Sequence, residues 1–215
     1  MPASGRVVEV DAARLAGWVE RFAERHGEVA IDPSAAAVVI TAADGARAEI
    51  TIPYGTWPGP APGTDPISWL AEHVRLPRTV GVLLVRRSGW AVGVVEEDEL
   101  VASAAGGGHV QGRTKAGGWS QQRYARRRSN QAEQLWQRAA DGAASVLLPH
   151  RTRLTALFTG GDRGGIAAVL ADERLTGLTS LVEPRFFAVG DPTRSVLIEV
   201  VRRLSALVIT LNELA

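Results

Sequence analysis

Apolar positions recur along this chain with two periods, and the period changes mark its elements. Leu15, Trp18, Val19 and Phe22 stand at helical spacing within residues 11–26, and Asp11 is placed to cap that helix. Ala36–Ala42 and Arg47–Pro53 read as strands joined by Asp44-Gly45, a hairpin signal. The Pro/Gly-rich residues 54–66 then predict a linker or exposed loop, followed by a short helix over Ser68–Arg75 with Ser68 as its cap. Thr79–Arg87 and Gly89–Glu96 form a second hairpin across Ser88-Gly89, and Leu100–Ala105 extends that sheet.

Beyond a Gly-rich stretch at 105–118, the pattern predicts one long helix over Ser120–Ala140. Tyr124, Arg128, Ala132, Leu135, Trp136 and Ala139 trace one face, with Tyr124 and the Leu135/Trp136 end turned inward. Arg123, Arg127, Asn130, Gln134 and Arg138 trace a wholly polar one. A strand at Leu154–Thr159, a helix at Gly164–Ala171, a strand at Arg185–Val189 and a helix at Thr193–Leu211 complete the reading. This order predicts an α/β fold, a mixed sheet with flanking helices. It divides into an N-terminal α/β extension, residues 1–78, and a main domain, residues 79–215.

Composition narrows the class. The chain has 215 residues, 46% hydrophobic, with a formal charge of +1. That is too apolar and too little charged for a disordered chain, and no apolar run approaches the ~18–20 residues that span a bilayer. The N-terminal residues carry acids where a secretory signal has its apolar core, so a cytoplasmic protein is expected. Cysteine is absent, which excludes disulfides, a thiol nucleophile and thiolate metal sites. The charge of +1 hides a segregation. Residues 1–99 sum to −5 and residues 133–215 cancel, whereas residues 100–132 hold six bases and no acid: Arg113, Lys115, Arg123, Arg126, Arg127 and Arg128. A single-sign stretch of this kind is the electrostatic footprint of a phosphate-backbone partner.

The chemistry concentrates in the same place. Residues 115–128 run Lys-Ala-Gly-Gly-Trp-Ser-Gln-Gln-Arg-Tyr-Ala-Arg-Arg-Arg. This stretch resembles the signature of the middle domain of eukaryotic and archaeal class-I peptide release factors, where a Gly-Gly-Gln-Ser loop enters an Arg-aromatic-Ala-Arg-x-Arg helix. Gly117, Gly118 and Ser120 match the loop, and Arg123, Tyr124, Ala125, Arg126 and Arg128 match the helix. Trp119 stands where those factors carry the catalytic glutamine, and Gln121 and Gln122 follow. The Gly-x-x-Gln spacing from Gly118 to Gln121 is similar to the Vms-type release-factor-like domain in its actinobacterial-type branch.

That resemblance implies a sheet of the release-factor middle-domain, ribonuclease-H-like type. It also implies a peptidyl-tRNA hydrolase acting on stalled ribosomes, with the large subunit, peptidyl-tRNA and rRNA or tRNA phosphates as partners and no membrane. Gln121, or else Gln122, would orient the hydrolytic water; a glutamine amide has no pKa suited to general-base work. Gly117 and Gly118 would allow close backbone approach, with backbone N–H groups facing the developing oxyanion. Arg113, Lys115, Trp119, Arg123, Arg126, Arg127 and Arg128 would hold RNA, the basic groups on phosphates. Trp119 is open to either of two roles, an anchor at the loop base or a base-stacking residue. The mechanism needs no cofactor and no metal.

Other features have simpler readings beside the functional ones. His109 is either an RNA contact or an exposed loop histidine. Glu96-Glu97-Asp98-Glu99 is either a cation site or a solvated strand end. Gly160–Gly165 is either a phosphate loop or a tight strand–helix turn. His26, His73, His109 and His150 are scattered singly, unlike a zinc site or a catalytic triad. Two further functions compete with hydrolysis: a nuclease trimming the tRNA acceptor end, and a non-catalytic ribosome- or RNA-binding factor.

Overall fold

The computed structural model describes residues 5–55, 59–60, 63–107 and 120–215, with side chains in the helix that begins at Ser120 from Gln131 onward. Two compact units result, residues 1–77 with 203–215, and residues 78–202.

In the first unit, strands β1 (Arg6–Asp11), β2 (Val29–Pro33), β3 (Ala37–Ala42), β4 (Arg47–Thr51) and β10 (Ala206–Leu211) form an antiparallel sheet in the order β1-β10-β4-β3-β2. Helices α1 (Leu15–His26) and α2 (Pro66–Arg75) share one apolar core with it. Leu15, Val19 and Phe22 of α1 and Ile67, Leu70 and Val74 of α2 meet the alternate strand positions Val38, Ile40, Ala48, Ile50, Leu207 and Ile209. That two-residue alternation is what directs one face of the sheet inward. Asp11 accepts the N–H of Ala13 at 2.7 Å, opening a 3-10 turn that leads into α1. Gly45 takes the left-handed conformation (φ +88°) that the 42–46 turn requires.

Two boundaries here correct the sequence reading. Helix α2 starts at Pro66 rather than Ser68, because Asp65 is the cap: its carboxylate accepts the Ser68 N–H at 2.8 Å, and Pro66 supplies the preset φ of a first helical residue. The helix expected over Thr193–Leu211 ends at Val201, and Ala206–Leu211 is strand β10. Leu207, Ile209 and Leu211 alternate into the core with a β-branched-rich backbone between them, a pattern of period two that suits the open place between β1 and β4.

In the second unit, β5 (Thr79–Arg86), β6 (Gly89–Glu96) and β7 (Glu99–Gly107) form an antiparallel meander. Strand β8 (Leu154–Gly161) pairs parallel with β5, and β9 (Val182–Phe187) parallel with β8, giving the order β7-β6-β5-β8-β9. This is the mixed sheet with flanking helices expected from the sequence. Leu83, Val85, Trp90, Val92 and Val94 share a core with helices α3 (Ser120–Leu147) and α4 (Arg163–Leu170). On the alternate face, Leu197 of helix α5 (Arg194–Val201) lies over Gly93, where a Cβ would come within 3.1 Å of it.

Helix α3 runs seven residues past the expected Ala140, because Ala143, Ala144, Val146 and Leu147 continue its buried stripe. Strand β9 occupies Val182–Phe187 rather than Arg185–Val189. Its partner sets the limit: β8 turns away at Gly161 (φ +97°), so Phe187, opposite Gly160, is the last residue with a ladder to join.

Candidate functional site

The segment that carries the motif connects β7 to α3. His109, Arg113, Lys115, Gly117, Gly118 and Trp119 lie outside the described residues. Gln121, Gln122, Arg123, Arg126, Arg127 and Arg128 lie on the helical backbone of α3, and their side chains are outside the described set. Ser120 is the first helical residue, so Gln121 and Gln122 fall in the first turn. Among the described residues that turn's backbone N–H groups have no intrahelical acceptor, and it stands at the positive end of α3. Arg123, Arg126 and Arg127, at i, i+3 and i+4, share one face of the backbone helix.

The C-terminal half of α3 is what fixes the helix on the sheet. Leu135, Ala139 and Ala143 sit four apart and fully buried, followed by Leu147, so the C-terminal half of α3 is a core element. Trp136, read as inward-facing, is partly buried against the same core. Trp90 of β6 inserts its indole between two glycines, Gly142 of α3 and Gly106 of β7. A Cβ at Gly106 would stand 2.8 Å from Trp90 Nε1, and one at Gly142 would overlap the far edge of the ring. Only glycine at both positions lets helix and strand close on the indole. Gly106 is also the penultimate residue of β7, so the same contact holds the strand end from which the motif segment leaves.

A charged cluster ties the outer side of α3. The Arg174 guanidinium reaches Asp141 of α3 at 2.7 Å and Asp172 at 2.8 Å, and its Nε donates to Asp172 at 2.8 Å. Hydrogen bonds from the Arg174 side chain, then from its backbone N–H, draw the Asp172 carboxyl down to about 2, and the side-chain bonds to Asp172 and then to Asp141 raise Arg174 further. Gln134 and Arg138, predicted on the polar face, are exposed, and Arg138 Nε donates to the Gln134 carbonyl at 3.3 Å.

The weaker candidates resolve into structural roles. At Gly160–Gly165, Asp162 Oδ1 accepts the N–H groups of Gly164 at 2.8 Å and Gly165 at 3.1 Å. Those are the donors a bound phosphate would use, and a carboxylate already occupies them. Glu96–Glu99 is the β6–β7 turn: Glu97 and Asp98 take the two left-handed positions (φ 50° and 67°). Glu96 pairs with Arg153 at 2.8 Å and lies 3.5 Å from His150. Among the described residues no cluster of His, Asp and Glu is arranged to hold a metal ion. His26 meets Asp44 at 2.8 Å, and His73 is buried, stacked on Trp69 with Nε2 3.3 Å from the Pro53 carbonyl. Among the described residues no helix is long and apolar enough to cross a membrane.

The third strand of the mixed sheet leads through a stretch of Gly-rich, basic sequence into a long helix, the order that the release-factor resemblance implies. The model of the family described as the Actinobacteria/chloroflexi VLRF1 release factor matches residues 78–210, and the chain belongs to that family. The resemblance drawn from residues 115–128 is thereby borne out. A search of the curated proteins finds no match. Similar solved structures include one described as an archaeal protein, 16% identical, with a TM-score of 0.39 over 74% of this chain and 48% of that one. Another is the archaeal translation termination factor aRF1, 12% identical, with a TM-score of 0.40 over 92% of this chain and 63% of that one. The chain thus spans less than two thirds of the length of either.

Proposed function

We propose that this protein hydrolyses the ester of peptidyl-tRNA on the large ribosomal subunit, in rescue of stalled ribosomes, and works in the cytoplasm. The observation that carries the reading is membership of a release-factor family over residues 78–210, together with the Gly117-Gly118 to Gln121 motif inside that span. The second unit, residues 78–202, acts as the release-factor-like catalytic domain, and the C-terminal part of the expected 79–215 domain, residues 203–215, belongs instead to the first unit, where β10 pairs with β1 and β4. The RNA-facing groups are Arg113, Lys115, Trp119, Arg123, Arg126, Arg127 and Arg128.

In the reaction, water adds to the ester carbonyl, a tetrahedral oxyanion forms, and the C–O bond to the ribose breaks. The ribose oxygen takes up a proton, leaving peptide carboxylate and intact tRNA. Gln121 orients the water through its amide, and Gln122 is its alternate. Backbone N–H groups at Gly117 and Gly118 and in the first turn of α3 face the oxyanion, where preorganised donors contribute a few kcal/mol each. The basic helix holds phosphates and positions the loop without reading sequence. No metal or nucleotide enters any step.

The test is incubation of the full chain with peptidyl-tRNA on isolated large subunits. Free peptide with an unshortened tRNA 3′ end is expected, and Gln121→Ala with Gln122→Ala abolishes release. A shortened tRNA reveals a nuclease. Ribosome binding without turnover reveals a non-catalytic factor, and unchanged turnover in the double variant removes the glutamines from the mechanism.

A further inference from the structure

The family match begins at residue 78, and the unit before it carries a cationic pocket of its own. Helix α1 presents Trp18 and Phe22 one turn apart with their rings stacked at 5.4 Å, and His26 continues the row 4.8 Å from Phe22. Arg21 and Arg25, also one turn apart, flank that row. From the sheet, Arg6 joins them. It precedes Val8 and Val10 in the alternation that directs β1 toward α1, so a cation stands where the apolar stripe would have continued.

Asp44 pairs with His26 and neutralises it when protonated. Arg6, Arg21 and Arg25 are exposed, and none pairs with a described acid. Three arginines therefore line one cleft beside a partly buried indole, in a part of the chain whose overall charge is negative. Charge and size together select the ligand. Guanidinium forks match phosphate oxygens in pairs, and an indole offers a stacking face to a base. The cavity, about 160 Å³, is smaller than the ~300 Å³ at which small-molecule sites begin. It takes one phosphate and the edge of one ring, with the rest of the ligand outside.

We infer that this pocket binds single-stranded RNA, seating one phosphate among Arg6, Arg21 and Arg25 and stacking the adjoining base on Trp18. It is a second RNA contact, independent of the 113–128 segment and of whether the protein is a hydrolase.

The full chain carrying Arg126→Ala and Arg127→Ala, which weakens the other basic surface, is titrated with a fluorescent single-stranded RNA oligonucleotide across a salt series. Adding Arg21→Gln and Arg25→Gln is expected to weaken binding about tenfold and to flatten the salt slope by about 0.7, one single-strand phosphate contact. Ultraviolet crosslinking is expected to place RNA on the peptide containing Trp18. Unchanged affinity and slope, or crosslinks that avoid that peptide, overturn the inference. So does a nucleoside monophosphate or an acidic peptide of equal charge that competes as well as the RNA, since the occupant would then be a free nucleotide or a protein. Circular dichroism of the Gln variants is expected to match the parent, because neither arginine holds a described partner. If Arg21 and Arg25 have purely structural roles, the melting temperature falls and the salt slope stays, which also overturns it.

Discussion

The glycine near the C-terminal end of α3, Gly142, is the point at which its packing can be tested most sharply. Gly142→Ala places a methyl in overlap with the Cη2 and Cζ3 atoms of Trp90 and 2.9 Å from Cζ2. Overpacking of this kind costs about 1–3 kcal/mol. Alanine in a helix interior is worth about 1 kcal/mol over glycine, so the single variant loses roughly 0–2 kcal/mol net, about 1 at the middle of that range. The three atoms in conflict belong to the distal ring of the indole, which phenylalanine lacks. In a Trp90→Phe background the overlap disappears while the helix propensity remains, so Gly142→Ala there stabilises by roughly 0.5–1 kcal/mol. The sign reverses, and the coupling of about 2 kcal/mol exceeds the ~0.5 kcal/mol seen between independent sites. Urea unfolding of the four proteins, followed by far-ultraviolet circular dichroism, measures it. Equal destabilisation by Gly142→Ala in both backgrounds would refute the idea that the indole sets the identity of residue 142.

Three other outcomes are expected. Arg126→Ala with Arg127→Ala weakens ribosome association and flattens its salt dependence; an unchanged slope in a salt-series binding assay takes the basic helix out of the RNA contact. Glu97→Asn with Asp98→Gly raises stability by about 1 kcal/mol, because both positions are left-handed and the Asn-Gly pair suits that turn; a fall in the urea midpoint contradicts this. The Asp172 carboxyl titrates lower in the folded chain than in the unfolded one, so its contribution is complete above pH 4 and fades as pH falls toward about 2. The stability gap between the parent and Asp172→Asn therefore narrows over that window, and a constant gap in denaturant titrations contradicts the Arg174 linkage.

The strands of the second unit were legible because their patterns are local. Thr79–Glu96 is a continuous apolar hairpin, and the Leu135 to Ala139 spacing gives the helix its inward face. What escaped was decided by distant partners. Ala206–Leu211 follows a helix without a proline or glycine break and is apolar throughout, so its neighbourhood gives no hint that β1 and β4 flank it, about two hundred residues away along the chain for β1. Strand β1 itself was not anticipated for the same reason, and β9 shifted because the end of β8 fixes its length. At the candidate site, residues 115–128 were legible as a motif, whereas Gly142 and Trp90 lack a sequence signal, since a lone glycine in a helix pattern usually marks nothing. The Arg21, Arg25 and Arg6 cluster escaped the sequence reading, because Arg6 joins the other two only when β1 lies beside α1.

The place of β10 has a consequence for how the chain is made. Ribosomes deliver β1 to β4 early, and then some one hundred and twenty-five residues that form the other unit, before the strand that fills the slot between β1 and β4. Until then two sheet edges stand unpaired, which is a standing invitation to pair with another chain. Units of this kind fold in the order their contacts become available, so the residues encoded in the middle can finish first. The first sheet is thus closed only by one of the last segments to be made.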